Sequence, residues 1–252
     1  RNNLILFNGK KTIMKYIAKI LNLKNDPSLI KKYIEHHKNV WPDILKAHSE
    51  SGVENMKIFI RGTTLFMYST VKNDYDPQKA DEIYNKYSIT QKWEELMHTF
   101  QQQSPNSNDN EWWSPMKEIF NLEEQSNLIK TRKDNNEITK YNAKILNLKN
   151  DSSLIEKYIE HHKNVWPDVL KTLSESGSED MKIFIQGTTL CMYSTVKNDY
   201  DPQKADEIYN KYPITQKWEE LMQTFQEQLP DSNDNEWWCS MKEIFNFKEQ
   251  LR

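Results

Sequence analysis

The sequence predicts an α+β protein made of two ferredoxin-like domains. Residues 15–125 are repeated at 140–250, and the two copies differ at 19 of 111 aligned positions. A repeat of this length has the size of a small autonomous domain rather than of a solenoid unit. Within each copy, strand-like and helix-like patterns follow one another in the order β-α-β-β-α-β, which is typical of the ferredoxin-like fold.

The repeat divides the chain into four segments. Residues 1–14 form an N-terminal extension, 15–125 the first copy, 126–139 a linker without apolar periodicity, and 140–252 the second copy. The apolar part of the extension, LILF, is shorter than the core of a secretory signal, and no small-residue cleavage site follows it. We therefore expect two domains of one fold in a single polypeptide, so that a site in one copy occurs twice.

The first half of each copy predicts a strand followed by two helices. KYIAKILNLK alternates as a half-buried strand does. The motif NDPS predicts a helix start, because it combines a capping residue with a proline near the first turn. This helix places Leu29, Tyr33 and His37 on one stripe. It is broken at Trp41-Pro42, since the residue before a proline disfavours the helical conformation, and the second helix, PDILKAHSES, follows.

The second half predicts a hairpin, two helices and a closing strand. MKIFI and TLFMYSTV flank RGTT, as in a β-hairpin. A helical stretch runs from Asp76-Pro77 through Tyr87, and ITQKWEELMHTFQQQ predicts a stronger helix. A polar loop and Trp112-Trp113 precede the closing strand, MKEIFNL. An antiparallel sheet with helices on one face needs cover on the other, so we expect the two domains to pack as an intramolecular dimeric α+β barrel.

Composition and charge exclude several classes of partner. The formal net charge is −3 and the pI about 6.1, with basic and acidic residues interspersed, so no surface for nucleic acid is expected. No apolar run approaches the roughly 20 residues that span a bilayer, so we expect no membrane partner. Cys191 and Cys239 both lie in the second copy and form neither a disulfide framework nor a zinc site, which favours a reducing compartment, the cytoplasm.

Tyr33 and His37, with Tyr158 and His162 in the second copy, are the clearest candidates for chemistry. Four residues apart, each pair projects from one helix face. A histidine titrates near neutrality and serves as general acid or base, and a tyrosine phenol donates a hydrogen bond or a proton. The pattern also fits an amphipathic helix whose tyrosine and histidine only satisfy local polar groups. His36 lies about 100° round the helix and is expected in solvent.

The sequence does not indicate a metal or cofactor site. A metal would need histidines at i and i+4 or convergent carboxylates, and neither arrangement is evident. The chain has five glycines and no glycine-rich phosphate loop, so the sequence does not indicate a nucleotide-binding site. We therefore expect neither a metal nor a cofactor.

Each copy carries four tryptophans, whose rings suit either a protein core or the apolar face of a sugar. Trp112 and Trp113 are harder to explain as core, because neighbours in an extended chain point opposite ways. Glu94 follows Trp93, and two interpretations of it remain open: a site residue, or a residue on a solvated helix face. Glu95 is expected in solvent. The eight tryptophans are Trp41, Trp93, Trp112, Trp113, Trp166, Trp218, Trp237 and Trp238.

Along the whole of each repeat, the sequence resembles the L-rhamnose mutarotase family. The resemblance rests on the run YIEHHKNVWPD, on MKIF followed by Gly62 and LFM, on WEELM, and on MKEIF as the closing strand. Members of this family are ferredoxin-like domains that form dimeric α+β barrels. They interconvert the α and β anomers of L-rhamnose or a related 6-deoxy-L-sugar.

The resemblance implies roles for individual residues. His37 and His162 match the histidine taken as proton donor. Glu94 departs from the family pattern, in which a second tryptophan follows the first, and Met56 stands where the family has a further sugar-contacting tyrosine. With the tryptophans considered above, the expected substrate-binding residues are Tyr33, Trp41, Trp93, Tyr158, Trp166 and Trp218. Further candidates are Met56, Glu94, Trp112, Met181, Glu219 and Trp237.

Three functional hypotheses remain open from the sequence. The first is a sugar mutarotase that uses His/Tyr acid–base chemistry on a small-molecule sugar in each copy. The two copies would form a covalent pseudo-dimer, and the sequence does not predict whether this pseudo-dimer assembles further. The second is a non-catalytic module that binds a sugar or another small ligand. The third is a different enzyme on the same barrel, such as a monooxygenase, because a fold does not fix a function.

Overall fold

A computed structural model describes residues 3–7, 10–103, 111–126, 140–234 and 236–251, with side chains from residue 15 onwards. The predicted linker, apart from Ser126, and most of the polar loop predicted before Trp112 lie outside the described residues. None of the helices within these ranges is long and apolar enough to cross a membrane.

The first copy and the extension before it contain seven strands and five helices within the described ranges. They are β1 (Asn3–Phe7), β2 (Lys10–Leu23), α1 (Pro27–Lys38), α2 (Pro42–Glu50), β3 (Val53–Arg61), β4 (Thr64–Val71), α3 (Pro77–Asn85), α4 (Ser88–His98), β5 (Gln101–Gln102), β6 (Ser114–Pro115), β7 (Lys117–Asn121) and α5 (Leu122–Gln125).

The second copy repeats this order without the extension. Its described elements are β8 (Lys140–Leu148), α6 (Ser152–Lys163), α7 (Pro167–Glu175), β9 (Ser178–Gln186), β10 (Thr189–Val196), α8 (Pro202–Asn210), α9 (Pro213–Gln223), β11 (Gln226–Glu227), β12 (Cys239–Ser240), β13 (Lys242–Asn246) and α10 (Phe247–Gln250).

The chain forms two compact units, each an antiparallel sheet with helices, which confirms the predicted α+β class. The first unit comprises Arg1–Met116 and Lys242–Arg252, and the second comprises Lys117–Met241. In the first unit the strand order is β1-β2-β4-β3-β13, with β5 and β6 also paired to β2. In the second unit it is β11-β8-β10-β9-β7, with β12 also paired to β8.

The closing strand of each copy is the main departure from the order expected for one domain. β5 and β6 take the place beside β2, and β13 of the second copy pairs with β3 in the first unit. In the same way β7 pairs with β9 in the second unit. An unpaired strand edge exposes backbone N–H and C=O groups, and the added strand satisfies them at β3 and β9. MKEIFNL is therefore a strand as predicted, but it belongs to the unit formed mainly by the other copy.

The start and end of the helices follow the sequence signals. The side chain of Asp26 accepts the backbone N–H groups of Ser28 at 2.7 Å and Leu29 at 3.2 Å, which caps α1. Helix α2 begins at Pro42, as the break at Trp41-Pro42 predicts. It is followed by Gly52 at φ 97°, a conformation that favours glycine.

The second long helix is shorter than its pattern predicts. Helix α4 ends at His98, whereas ITQKWEELMHTFQQQ extends to Gln103. The Thr99 hydroxyl donates to the carbonyl of Leu96 at 2.7 Å, and the following glutamines pair with β2 as strand β5. The strand pairing thus ends the helix although helix-forming residues continue.

Candidate functional site

The first unit encloses a cavity of about 210 Å³ between its sheet and helices α1 to α4. Five of the expected catalytic, substrate-binding and further candidate residues line it, together with residues that were not on those lists. The five are Tyr33, His37, Met56, Trp93 and Glu94. Side chains from two helices and one strand therefore meet at one place, as the resemblance implied.

His37 is held in one protonation state by its surroundings. Its side chain is buried, and burial lowers the pKa of the imidazole to about 4 because it disfavours the charged form. Nδ1 lies 3.0 Å from the backbone carbonyl oxygen of Tyr33, one helical turn earlier. A carbonyl oxygen only accepts, so Nδ1 carries the proton of the neutral ring and Nε2 is an unprotonated acceptor. The ring is therefore uncharged, and Nε2 is able to accept a hydrogen bond or a proton.

Aromatic rings surround His37. The ring centroid of Tyr33 lies 4.2 Å away, and Trp93 approaches edge-on at 5.6 Å. Phe245 approaches edge-on at 5.9 Å from strand β13, and Trp41 packs against Trp93 at 5.2 Å. These rings exclude water from the imidazole, which accounts for the low pKa of His37. Tyr33, Trp93 and Phe245 also line the cavity, whereas Trp41 does not line it.

The same arrangement recurs in the second unit. Nδ1 of His162 lies 2.9 Å from the carbonyl oxygen of Tyr158, and burial lowers the pKa of this imidazole to about 4. The ring centroids of Tyr158, Trp218 and Phe120 lie 4.2, 5.5 and 6.0 Å from that of His162. Trp166 packs on Trp218 at 5.3 Å, as Trp41 does on Trp93. Both copies thus keep a neutral histidine among aromatic rings.

Tyr33 is buried beneath His37. Its side chain is 1% exposed, and burial raises the pKa of the phenol well above its usual value. Tyr158 is buried to the same degree, with its pKa raised for the same reason. Both phenols therefore remain protonated through the neutral range and are available as hydrogen-bond donors rather than as bases.

Glu94, left ambiguous by its position in the sequence, lines the cavity with a carboxyl group in a defined orientation. The Tyr84 hydroxyl donates to Oε1 of Glu94 at 3.0 Å. Partial burial raises the pKa of this carboxyl, against the opposing effects of the Tyr84 hydrogen bond and the charge of Lys19. In the second unit, the Tyr209 hydroxyl donates to Oε1 of Glu219 at 2.8 Å, and burial again raises the carboxyl pKa.

The two adjacent tryptophans have different surroundings. Trp113 lines the cavity. Trp112, which was the candidate from the sequence, stacks instead on His98, with ring centroids 3.8 Å apart and planes 12° from parallel. Both indoles also pack against the core of the first unit, and it is the second of the pair that lines the cavity. Their counterparts Trp237 and Trp238 are half-buried.

Several lining residues gave no signal in the sequence. His48 and Tyr84 lie on helices α2 and α3, Lys19 on β2, and none of them forms a spacing motif with His37. Phe245 comes from the other repeat. The repeat itself was the one signal for the contribution of Phe245. Because both copies contain the same closing strand, the strand of one copy is able to pair with the sheet of the other.

The described side chains offer no evident metal site. Among the residues that the structure describes, no three His, Cys, Asp or Glu side chains lie close enough to hold a metal ion. Cys191 and Cys239 are buried and unbridged, and burial raises the pKa of the Cys191 thiol. The polar residues that line the cavity include histidines, tyrosines, carboxylic acids and a lysine, whose side chains are able to give or accept protons.

Comparison with known proteins identifies the family. The model of the L-rhamnose mutarotase family matches residues 16–122 and again 142–247. A UPF0734 protein of Dictyostelium discoideum is 40% identical over 116 residues, which are 43% of this chain and 90% of that protein. The L-fucose mutarotase of Xanthomonas campestris pv. campestris is 37% identical over 109 residues, 42% of this chain and 87% of that protein.

Among solved structures, the crystal structure of an L-rhamnose mutarotase from Formosa agariphila is 26% identical, with a TM-score of 0.32. The match covers 42% of this chain and 96% of that one. The two family matches lie in the two copies and together cover most of the sequence. The chain therefore belongs to the L-rhamnose mutarotase family, a family of sugar isomerases, and carries two copies of its domain.

Proposed function

We propose that the chain interconverts the α and β anomers of a 6-deoxy-L-hexose such as L-fucose or L-rhamnose, with one site in each unit. The family match supports the reaction class, and the name of the Xanthomonas relative supports this class of sugar. The observation that carries the proposal is the neutral, buried His37 beside a cavity lined by aromatic rings, repeated at His162.

His37 acts as the general base when the sugar ring opens. Nε2 takes the proton of the anomeric hydroxyl, the C1–O5 bond breaks, and C1 becomes the aldehyde carbon while the ring oxygen receives a proton. Rotation about C1–C2 presents the other face of the aldehyde, and reversal of the same transfers closes the ring. General acid–base assistance typically accelerates a reaction 10²–10⁴-fold, a sufficient scale because this reaction also occurs unaided in water.

The aromatic residues position the sugar. Tyr33 offers a protonated phenol to a sugar oxygen, since its raised pKa keeps the proton in place. Trp93 and Trp113 line the cavity and suit the C–H face and the 6-methyl group of a deoxysugar. In this chain Met56 also lines the cavity, where the family resemblance placed a tyrosine, so a thioether contact replaces a hydrogen bond.

Saturation-transfer NMR of anomer exchange tests the proposal on L-rhamnose, L-fucose and D-glucose. We expect the wild-type protein to accelerate exchange of at least one 6-deoxy-L-hexose, and His37→Asn with His162→Asn to abolish the acceleration. Asparagine keeps an N–H donor near the Tyr33 carbonyl, so circular dichroism should show an intact fold. Sugar-dependent quenching of tryptophan fluorescence without accelerated exchange in the wild type would instead support a binding module.

A further inference from the structure

We propose that Glu94 and Glu219 are the second catalytic group of each site, giving a proton to the ring oxygen while His37 or His162 removes the anomeric proton. This inference rests on the proposed mutarotase function and names a residue for the half of the reaction that the histidine does not perform. The family resemblance does not supply this role, because a tryptophan is expected at this position.

The chemistry requires a proton donor other than His37. In its neutral form the ring has one N–H, and that group is directed to the Tyr33 carbonyl at 3.0 Å. Nε2 therefore has no proton to give until it has taken one. Ring opening needs a donor at the ring oxygen at the moment when the base acts at the anomeric hydroxyl. We assign that proton to another group that lines the cavity.

Glu94 is better suited to give a proton than the two phenols that line the cavity. Tyr33 and Tyr84 are phenols whose pKa values are raised further by burial, so that losing a proton is costly. Burial raises the pKa of the Glu94 carboxyl and so favours its protonated form, and a carboxylic acid gives up its proton more readily than a phenol. Lys19 lies close enough for its charge to stabilise the carboxylate that remains.

The position of Glu94 fits this role. It follows Trp93 on α4, and the Trp93 ring contacts His37 at 5.6 Å. The Tyr84 hydroxyl fixes Oε1 at 3.0 Å, which leaves Oε2 for exchange with a ligand. His98 lies 3.8 Å from Oε2, too far for a hydrogen bond. The carboxyl is thus oriented without being neutralised by a close ion pair.

The second unit preserves the Tyr–Glu pair although its neighbours change. Tyr209 donates to Glu219 at 2.8 Å, as Tyr84 does to Glu94. His48, which packs on Tyr84, and His98, which lies beside Glu94, are replaced by leucine and glutamine in the second copy. The hydrogen-bonded pair does not depend on either histidine, so both units keep a candidate acid.

The proposed step is balanced. In ring opening, the carboxylic acid of Glu94 gives its proton to O5, the C1–O5 bonding pair moves to O5, and the anomeric O–H proton moves to Nε2 of His37 as the carbonyl forms. In ring closure on the opposite face, the imidazolium returns its proton to O1 and the carboxylate recovers one from O5. The enzyme ends as it began, and no oxidant, reductant or co-reactant takes part.

The test is the double variant Glu94→Gln with Glu219→Gln, assayed by saturation-transfer NMR across the pH range. Glutamine has nearly the same shape and still accepts the Tyr84 or Tyr209 hydroxyl, but it has no acidic proton. We expect kcat to fall about 100-fold or more, with KM changed less than about threefold. In the wild type the rate should fall as pH rises through the carboxyl pKa, since the acid must be protonated, and the variant should lack that decline.

Several other titratable groups must be considered in reading the pH profile. Those that surround Glu94 or line the same cavity are Lys19, Tyr33, His37, His48, Tyr75, Asp81, Tyr84 and His98. Glu95→Gln with Glu220→Gln is the matched control, because these exposed glutamates lie next to the proposed acids, and this control should keep both rate and pH profile. Glu94→Asp with Glu219→Asp should recover part of the rate and the decline at high pH.

The outcomes separate this inference from the proposed function. A wild-type rate and pH profile in the glutamine variant would overturn the role of Glu94 and Glu219 while leaving the mutarotase function in place. A wild-type protein that accelerates no anomer exchange would overturn the proposed function itself. A fall in kcat with an unchanged decline at high pH would show that the glutamates only position other groups, and would also overturn the assignment.

Discussion

The side chain of Gln250 is bonded to the backbone of His37. Its Nε2 donates to the His37 carbonyl oxygen at 2.7 Å, and its Oε1 accepts the backbone N–H of Val40 at 3.0 Å. Helix α1 ends at Lys38, so these backbone groups lie where a helix leaves its own hydrogen bonds unmade. Gln250 belongs to α10, directly after the strand that places Phe245 against His37.

The second unit has the same clamp. Gln125 donates to the carbonyl oxygen of His162 at 2.6 Å and accepts the N–H of Val165 at 3.0 Å. Each closing strand therefore brings both an aromatic wall and a backbone clamp to the helix that carries the histidine. The closing strand of one copy therefore completes both the sheet and the candidate site formed by the other copy. Without that strand, the histidine would lose both the phenylalanine contact and the glutamine hydrogen bond.

Loss of the clamp should impair one site only. In a His162→Asn background, where only the first site operates, we expect Gln250→Ala to lower kcat about 10-fold, because misplacement of a catalytic group is costly. It should also reduce the free energy of unfolding by about 1–3 kcal/mol through unsatisfied backbone groups. Anomer exchange and urea denaturation measure the two effects. Gln125→Ala in the same background is the control, and an equal fall in kcat there would contradict the clamp.

The acid side of the pH–rate profile should report the buried histidine. A base acts only when it is unprotonated, and burial lowers the pKa of His37 to about 4. Exchange by the His162→Asn variant, corrected for the reaction in buffer, should therefore show no decline as pH falls to about 5 and should decline through about 4. Circular dichroism at each pH confirms that the fold persists. A decline centred near 6.5, the ordinary value for histidine, would show that the catalytic imidazole is solvated.

The two adjacent tryptophans should differ in their effect on substrate affinity. Trp113 lines the cavity, whereas Trp112 stacks on His98. In the His162→Asn background we expect Trp113→Ala to raise KM about 10-fold, because the sugar loses an aromatic wall. Exchange rates at increasing sugar concentration give KM. Trp112→Ala serves as the control and should change KM less than about twofold. A larger rise in KM for Trp112→Ala than for Trp113→Ala would contradict the assignment of Trp113 to the binding surface.

Local patterns were sufficient to predict the helix that carries the histidine. The capping aspartate, the proline after it and the four-residue spacing of Tyr33 and His37 all describe one continuous segment, so short-range physics decides their geometry. The same holds for the hairpin, whose turn contains Gly62 at φ 56°. The structure confirms each of these elements.

The remaining parts of the site depend on contacts between distant segments. Phe245 and Gln250 come from the opposite repeat, and no periodicity indicates which of two similar sheet edges, β3 or β9, a closing strand will join. The Tyr84–Glu94 hydrogen bond links two helices, whose relative placement follows from packing rather than from spacing. The end of α4 at His98 is also decided by strand pairing with β2, against the local helical pattern.

We expect His48 to make the free energy of unfolding depend on pH. Its ring packs on Tyr84 at 4.7 Å and meets Phe247 edge-on at 6.4 Å. Burial lowers the pKa of this imidazole from 6.5 to about 4. Between these values the unfolded chain binds a proton that the folded chain does not, so the proton favours unfolding as pH falls from 6.5 towards 4. The second copy has Leu173 at the equivalent position.

His48→Leu should therefore stabilise the protein more in mild acid than at neutral pH. We expect the substitution to raise the free energy of unfolding by up to about 2 kcal/mol more at pH 5 than at pH 8. This difference is the linkage expected between pKa values of about 6.5 and 4. Urea denaturation followed by tryptophan fluorescence at both pH values measures it. The reciprocal variant Leu173→His should lose stability more at pH 5 than at pH 8. Equal changes at the two pH values for His48→Leu would mean that the imidazole is hydrated in the folded state.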